Sequence, residues 1–306
     1  TAREYWRQNK KNRNKKGCLI TSVGAHSSIK AMAKVIDADV LLVETDDLMT
    51  AEALQEKIDS LDKSTMERVF AVVATGGTTN AGIVDDLEGI AAICKDFSLW
   101  FHVDAAYGGG ALAADSVRHL FKGIEKADSI TIDPHKWLFS PYDCGAIIYR
   151  NPELAKTAHS QEGSYLDIIK DPGAHGFNPS DYQIQLTRRL RGLPLWYSLA
   201  THGTNKYKWA VERGIELANL AGELISSRVE VELIRPPSLS CVLFRRIGWS
   251  EDDYKNWTYT NHHKGLALVT PSKWKTKGGF ETVARFCFIN PDTTEDDIKI
   301  ILDTMK

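Results

Sequence analysis

The tetrapeptide Asp133-Pro134-His135-Lys136 lies about thirty residues after the run His102-Val103-Asp104-Ala105-Ala106-Tyr107. Each stretch closes a short β-rich run, which puts one aspartate and one lysine at strand ends. An amine in such a position can form a Schiff base with an aldehyde. A carboxylate across from it can hold a pyridine nitrogen protonated, so that the ring accepts the electron pair released when a bond at a substrate's Cα breaks. Together they are the two charges that a pyridoxal phosphate enzyme places on either side of its cofactor.

Each residue also has an ordinary reading. A lysine after a strand is usually a solvated surface charge, and a strand-end aspartate is usually a turn former. Their surroundings separate these two from the ordinary case. Reactive lysines depend on burial and neighbouring cations, and Lys136 lies between His135 and the apolar Trp137-Leu138-Phe139. Asp104 ends an apolar strand and precedes Ala105 and Ala106, which are small enough to let a flat ring reach the backbone.

The elements that must position them are legible in the patterning. The first half of the chain alternates short β-rich runs with helical patterns, the signature of βα units building a mainly parallel sheet with helices on both faces, an α/β class. Strands are expected at Cys18 to Thr21, Val40 to Glu44, Val69 to Thr75, Trp100 to Asp104, Ser129 to Ile132 and Ala146 to Tyr149. Helices are expected over Ile29 to Val35, Ala51 to Leu61 and Leu87 to Asp96. The turns after the strands are rich in Gly, Thr, Asp and His, and open α/β sheets bind ligands at those carboxyl ends.

The stretch Gln161 to Pro179 carries Gly163, Pro172, Gly173, Gly176 and Pro179 with little periodicity, and reads as a long loop of the kind that closes over a site. From about Leu193 a helical run leads into a long amphipathic helix starting near Thr204. Strands at Val229 to Ile234, Cys241 to Ile247 and Val283 to Ile289, with a final helix opening at Thr293 or Thr294, make a smaller α+β unit. The expected division is a large domain over residues 1–193 and a small domain over 194–306.

Six pieces of the chain occur in the order found in a known family. They are Ala25-His26-Ser27-Ser28, Thr75-Gly76-Gly77-Thr78-Thr79, His102 to Tyr107, Asp133-Pro134-His135-Lys136-Trp137, Tyr165-Leu166 and Leu186-Thr187-Arg188-Arg189. With these the chain resembles the group II pyridoxal-phosphate-dependent amino acid decarboxylases, typified by aromatic-L-amino-acid, histidine and glutamate decarboxylases. The resemblance runs from near residue 1 to the end. It implies the fold-type-I large domain of the pyridoxal phosphate transferases followed by a smaller C-terminal domain.

The resemblance also implies roles. Lys136 would be the Schiff-base lysine and Asp104 the partner of the pyridinium nitrogen, with His26 stacked on one face of the ring and Ala106 against the other. Thr79 would lie by the cofactor's phenolic oxygen and the substrate carboxylate. His135 and the residue two before it would reach the phosphate. That residue is Asp133 here, where the animal aromatic decarboxylases carry asparagine. An anion facing a phosphate is unfavourable, so Asp133 is expected to pair with a cation or to bond through its backbone instead.

Tyr165 matches the tyrosine of the family's catalytic loop, which helps protonate the carbanionic intermediate. Thr187 stands where dopa-acting animal members carry glycine and histidine-acting ones a hydroxyl residue. Arg285 lies on a late strand where fold relatives place a carboxylate-binding arginine. Ordinary readings stand beside these: His26 as a helix-start cap, Thr79 as a turn threonine, Tyr165 and Arg285 as surface residues. Relatives that have become aldehyde-forming oxidative decarboxylases often replace the histidine or the tyrosine. Retention of both favours simple decarboxylation of an L-amino acid to amine and carbon dioxide, with aromatic substrates of the tyrosine, dopa or tryptophan type preferred.

Composition excludes other classes. At 306 residues and 43% hydrophobic, with eight Trp, ten Tyr and ten Phe, the chain can bury the cores of two domains. A net charge of −2 argues against whole-chain attraction to nucleic acid or an anionic membrane. The basic cluster Arg7, Lys10, Lys11, Arg13, Lys15, Lys16 reads as a solvated helix end and loop. Cys18, Cys94, Cys144, Cys241 and Cys287 are scattered, odd in number and free of ligand spacing, which fits a reducing, cytoplasmic compartment and no metal. No apolar run reaches membrane-spanning length, and no signal-peptide apolar region follows the basic start.

The expected partners are a small amino acid substrate and, from the resemblance, a second copy in a homodimer. Family members normally begin well before a sequence such as Thr1-Ala2-Arg3-Glu4-Tyr5-Trp6, with a Gly/Ser-rich turn that holds the phosphate. No equivalent turn is found, so the chain is expected to be a fragment, a nicked piece or a truncated product that associates with the missing N-terminal segment. Three alternatives stand beside the aromatic reading. One is a decarboxylase of histidine, glutamate or diaminobutyrate. Another is a different fold-type-I lyase, such as a cysteine desulfurase, which would want a reactive cysteine in Gln161 to Pro179, where there is none. The last is a non-catalytic fragment serving assembly.

Overall fold

Six strands form the larger sheet of the computed structural model, which describes residues 1–161, 178–276 and 279–306. They are β1 (Cys18–Ser22), β2 (Asp39–Val43), β3 (Val69–Thr75), β4 (Trp100–Asp104), β5 (Ser129–Ile132) and β6 (Ala146–Tyr149), in the spatial order β2-β1-β3-β4-β5-β6. β1 to β5 run parallel, and β6 returns antiparallel on β5. The last four strands have the bounds that the sequence predicts.

Central β3, Val-Phe-Ala-Val-Val-Ala-Thr, is buried at every position. That is how a parallel strand reads when helices cover both faces of its sheet. Alternation sorts its side chains. Val72 and Ala74 join Ile20, Val103, Leu54, Leu87 and Ile90 in the main core, while Ala71 and Val73 join Leu19, Ala33 and Trp100 on the other face. The covering helices Ser27–Val35, Ala51–Asp59 and Leu87–Asp96 open on His26, Thr50 and Asp86, whose side chains accept backbone N–H groups of the first turn.

The second sheet holds β7 (Val231–Leu233), β8 (Cys241–Arg246), β9 (Ser272–Thr276) and β10 (Gly279–Cys287), antiparallel in the order β7-β8-β10-β9. β9 was not expected from the sequence. Its Ser-Lys-Trp-Lys-Thr carries no apolar alternation beyond Trp274, and pairing with β10 makes it a strand. The helix Glu251–His263 was also not expected, because only Tyr254, Trp257 and Asn261 are buried along it. Its start is nonetheless written in a capping box between Ser250 and Asp253.

The two sheets share one long element. The helix Gly192–Ser226 is interrupted at Gly203 (φ 72°, ψ 163°), where the sequence predicts the long amphipathic portion to begin. Its Val211 and Ile215 pack into the main core, and its Leu217, Ala218, Ala221 and Ile225 pack with Val242, Phe244, Phe286, Ile298 and Leu302 in the second. The last helix, Glu295–Asp303, opens on Thr294 with a reciprocal bond to Asp297. Among the described residues, no helix is long and apolar enough to cross a membrane.

Candidate active site

Register alone assembles the floor of the site. Thr75 at the end of β3 is aligned with Asp104 at the end of β4, and Asp104 with Thr131 of β5. Three polar side chains from strands far apart in sequence therefore stand side by side at the carboxyl edge of the sheet. The turns that follow rise around them and enclose a cavity of about 370 Å³. Six of the residues expected from the sequence line it: His26, Thr79, Asp104, Ala106, Asp133 and Lys136.

Lys136 is aimed by its neighbour. Its Nζ lies 2.9 Å from Asp133 Oδ2, so the tetrapeptide closes on itself through an ion pair, with both side chains largely shielded. The expectation that Asp133 pairs with a cation therefore holds, and the cation is Lys136. The neighbour expected to act on Lys136 was the cation His135; the structure gives it an anion instead. The residue after Lys136, Trp137, is fully buried and stacks on Tyr107 at 5.1 Å and 9°.

Asp104 Oδ1 accepts the Ala106 N–H at 3.2 Å, and the Ala106 carbonyl accepts the Asp133 N–H at 3.0 Å. This chain of bonds ties the Asp104 turn to the Lys136 turn. A glycine makes the approach of the β3 turn possible. Gly77 is held at φ 115° against Gly108, and a Cβ on Gly108 would lie 2.0 Å from the Gly76 carbonyl oxygen. His26 serves two ends at once: Nδ1 accepts the Ser28 N–H at 3.3 Å as the helix cap, and the ring borders the cavity.

The other expected residues lie elsewhere. His135 does not border the cavity. Its Nδ1 accepts the Cys144 N–H at 3.1 Å, which leaves the proton of a neutral ring on Nε2, 4.0 Å from Asp133, and its ring stacks on Tyr142. Arg285 is also outside the lining; its guanidinium donates to the Thr79 carbonyl from β10. Thr187 lines a different cavity of about 750 Å³, together with Pro134, Cys144 and Arg189. Tyr165 lies outside the described residues.

The cavity also suits a polar, planar guest. Thr75 borders it, yet among the described residues the buried Thr75 hydroxyl has no hydrogen-bond partner. A buried hydroxyl in that state costs about 1–3 kcal/mol unless a ligand pairs with it. The carboxylate of Asp104, the amine of Lys136, hydroxyl groups and the small side chain of Ala106 fit the ring nitrogen, aldehyde and ring face of pyridoxal phosphate.

Residues 2–247 match the model of the pyridoxal-dependent decarboxylase conserved domain. The chain belongs to the pyridoxal-dependent decarboxylase family. Its fold is accordingly fold type I. The chain is 30% identical over 293 residues to the aromatic-L-amino-acid decarboxylase of Bacillus atrophaeus, a match covering 92% of the chain and 60% of that protein. It is 33% identical over 276 residues to the histidine decarboxylase of Drosophila melanogaster, covering 90% of the chain and 32% of the relative. The crystal structure of Oryza sativa TDC with PLP and tryptamine superposes with a TM-score of 0.88 at 24% identity, over 99% of the chain and 66% of the rice one. The chain thus spans less than two thirds of the length of these relatives.

Sequence reasoning missed residues in and behind the walls of this cavity. His102 sits two residues before Asp104 on the same strand face, the period-two signal by which it could have been found. Its ring nitrogens lie 2.8 Å from Ser129 Oγ and 3.3 Å from Thr131 Oγ1. Burial holds the imidazole below its ordinary range, against the opposing pull of Asp104. Asp85 acts from behind: its buried carboxylate accepts the Thr75 N–H at 2.7 Å and the Met49 N–H at 2.8 Å, while its own N–H bonds to the Thr75 carbonyl. Burial pushes this carboxyl up to about 6. Nothing in the sequence marks Asp85 out from the adjacent Asp86.

Proposed function

We propose that this chain is the cofactor-bearing part of a pyridoxal phosphate-dependent enzyme that decarboxylates an L-amino acid to its amine, with aromatic amino acids preferred. The observation that carries the reading is the convergence of Lys136, Asp104, His26 and Thr79 on one cavity at the strand ends of a decarboxylase-family fold. When bound, pyridoxal phosphate supplies an electron-accepting ring conjugated to the substrate's Cα.

The chain's own residues do the rest. Lys136 would provide the amine that holds the aldehyde of the cofactor, and Asp133 keeps its Nζ directed at the cavity. Asp104 would hold a proton on the ring nitrogen, and the Ala106 N–H bonded to its Oδ1 fixes the carboxylate's angle. His26 and Ala106, which line the same cavity, would flank the ring. Thr79 orients the substrate carboxylate, and Tyr165 delivers a proton to Cα. The contacts of His135 support a role in bracing the Lys136 turn more than one at the phosphate.

The aromatic preference is supported by the Bacillus relative. Histidine is the second reading, favoured by the hydroxyl of Thr187 and by the fly relative. A carboxylate-binding role for Arg285 belongs to the same proposal. So does the division into residues 1–193 and 194–306, supported by the two separate sheets, with Val211 and Ile215 of the second part packing into the core of the first. The homodimer is supported by apolar side chains exposed on edge strand β6 and beyond, Ile147, Ile148, Leu190 and Trp196. Five free cysteines support a cytoplasmic location.

The test is the visible spectrum of the purified chain with pyridoxal phosphate, before and after borohydride, beside Lys136→Ala. The expected result is a reducible band absent from the variant, with borohydride fixing the label on Lys136, followed by carbon dioxide release from aromatic amino acids ahead of histidine. A label on another lysine sinks the assignment of Lys136. Labelling without carbon dioxide release sinks the decarboxylase reading for this chain.

A further inference from the structure

Behind the Thr79 turn, Cys241 and Cys287 stand directly opposite each other on β8 and β10. The adjacent Phe288 N–H bonds to the Ser240 carbonyl at 2.9 Å, which makes the cysteines the non-hydrogen-bonded kind of antiparallel pair. In that kind of pair the Cα atoms approach to about 4.5 Å and side chains come closest, within the separation a disulfide spans. The sulfurs are 3.8 Å apart. We infer that Cys241 and Cys287 form a modification site, a dithiol that hydrogen peroxide or a small-molecule disulfide converts to an intramolecular disulfide.

The surroundings favour Cys287 as the attacking thiol. It is partly exposed, whereas Cys241 is buried. The hydrogen bond from Cys241 lowers its pKa to about 6, and Arg285, two residues before it on the same face of β10, adds a positive charge. Burial pushes Cys18 and Cys94 the other way, to about 11 and about 12.

The chemistry balances with peroxide as the oxidant. The Cys287 thiolate attacks one peroxide oxygen, the O–O bond breaks, hydroxide leaves and Cys287 becomes a sulfenic acid. Cys241 sulfur then attacks that sulfur. The S–S bond forms as the S–O bond breaks, and the oxygen leaves as water with the proton that Cys241 gives up. Two thiols lose two electrons, and one peroxide becomes two waters. The bond closes beside Ser240, whose hydroxyl is 2.5 Å from Tyr107 Oη, and beside Arg285, which holds the Thr79 carbonyl.

The test needs neither cofactor nor activity, so its failure is separate from that of the proposed reaction. The full chain is treated with hydrogen peroxide, and in parallel with oxidised glutathione; remaining thiols are alkylated and the protein is mapped by mass spectrometry. Expected are the loss of two of the five free thiols, a linked peptide pair containing Cys241 and Cys287 with two hydrogens fewer, and full reversal by dithiothreitol. In Cys241→Ser, Cys287 should instead be captured as a sulfenic acid or a mixed disulfide with glutathione. Overturning results are wild-type chain in which both cysteines stay alkylatable, or Cys287 driven to sulfinic acid with no linked pair.

Discussion

The carboxyl edge of the parallel sheet and the four-stranded antiparallel sheet differ in how they use polar residues. At the first, buried or half-buried polar groups border one cavity: Thr75, His102, Asp104, Thr131 and, behind them, Asp85. In the second, charges pair at the surface, as Lys273 does with Glu251, or half-buried, as Arg245 does with Glu281, and the interior is Val242, Phe244 and Phe286. Yet the second sheet and its loops reach the first region, with Ser240 bonded to Tyr107, Ser238 to the Gly82 carbonyl, Arg285 to the Thr79 carbonyl and Lys275 to Glu44. The contrast separates two jobs, one region supplying reactive groups and the other holding in place the turn after β3 that carries Thr79.

If that division is right, Asp104→Ala should damage chemistry and spare the fold. Decarboxylation is expected to fall by about 10³-fold, as when a preorganised electrostatic group is lost, with the thermal midpoint unchanged within a few degrees. A loss below tenfold would break the comparison at its strongest point.

Asp85 should behave oppositely, as scaffold. Its carboxyl titrates near 6 in the folded chain and near about 3.9 unfolded. Between those values the folded state holds the extra proton, so this group's contribution to stability is lost as pH rises from about 4 through about 6. Urea denaturation across that window should show wild type losing about 3 kcal/mol relative to Asp85→Asn, which does not titrate. A constant difference would remove Asp85 as the source.

Gly108→Ala is expected to cost about 1–3 kcal/mol by overpacking against the Gly76 carbonyl, read as a lower urea midpoint. A neutral result would mean that the turns do not meet as closely as the 2.0 Å approach implies. The smallest effect should come from the join between the sheets. A double-mutant cycle of Tyr107→Phe and Ser240→Ala should give a coupling of about 1 kcal/mol. Zero coupling would make the second sheet a neighbour and not a support.

Legibility in the sequence followed the same divide. β3 to β6 were bounded correctly because apolar, branched runs end abruptly in polar turns, and the residues at those ends were the ones picked out for chemistry. β9 and the helix Glu251–His263 were missed because partial burial gives Lys-Trp-Lys and Tyr254, Trp257, Asn261 too little apolar contrast. Motif resemblance located Lys136, Asp104 and His26, but it could not distinguish a residue in the cavity from one behind it. His135, Arg285 and Thr187 all carry groups suited to binding, and their placement depends on the course of turns that no periodicity encodes. Asp85 was invisible for the reason that makes it useful, since its carboxylate replaces backbone partners that only the folded turn lacks.

The bond from Arg285 to Thr79 joins residues 206 positions apart, and that between Tyr107 and Ser240 spans 133. Translation delivers residues at about 5–20 per second. Thr79 is therefore made at least ten seconds or so before the arginine that holds its carbonyl exists. The strands that present Asp104 and Lys136 can pair while the nascent chain is still growing, but the wall beside them closes late. Closure of that wall then waits until Ser240 and Arg285 have been made, and a chain that stopped short of them would hold the sheet with Lys136 in place and no finished pocket around it.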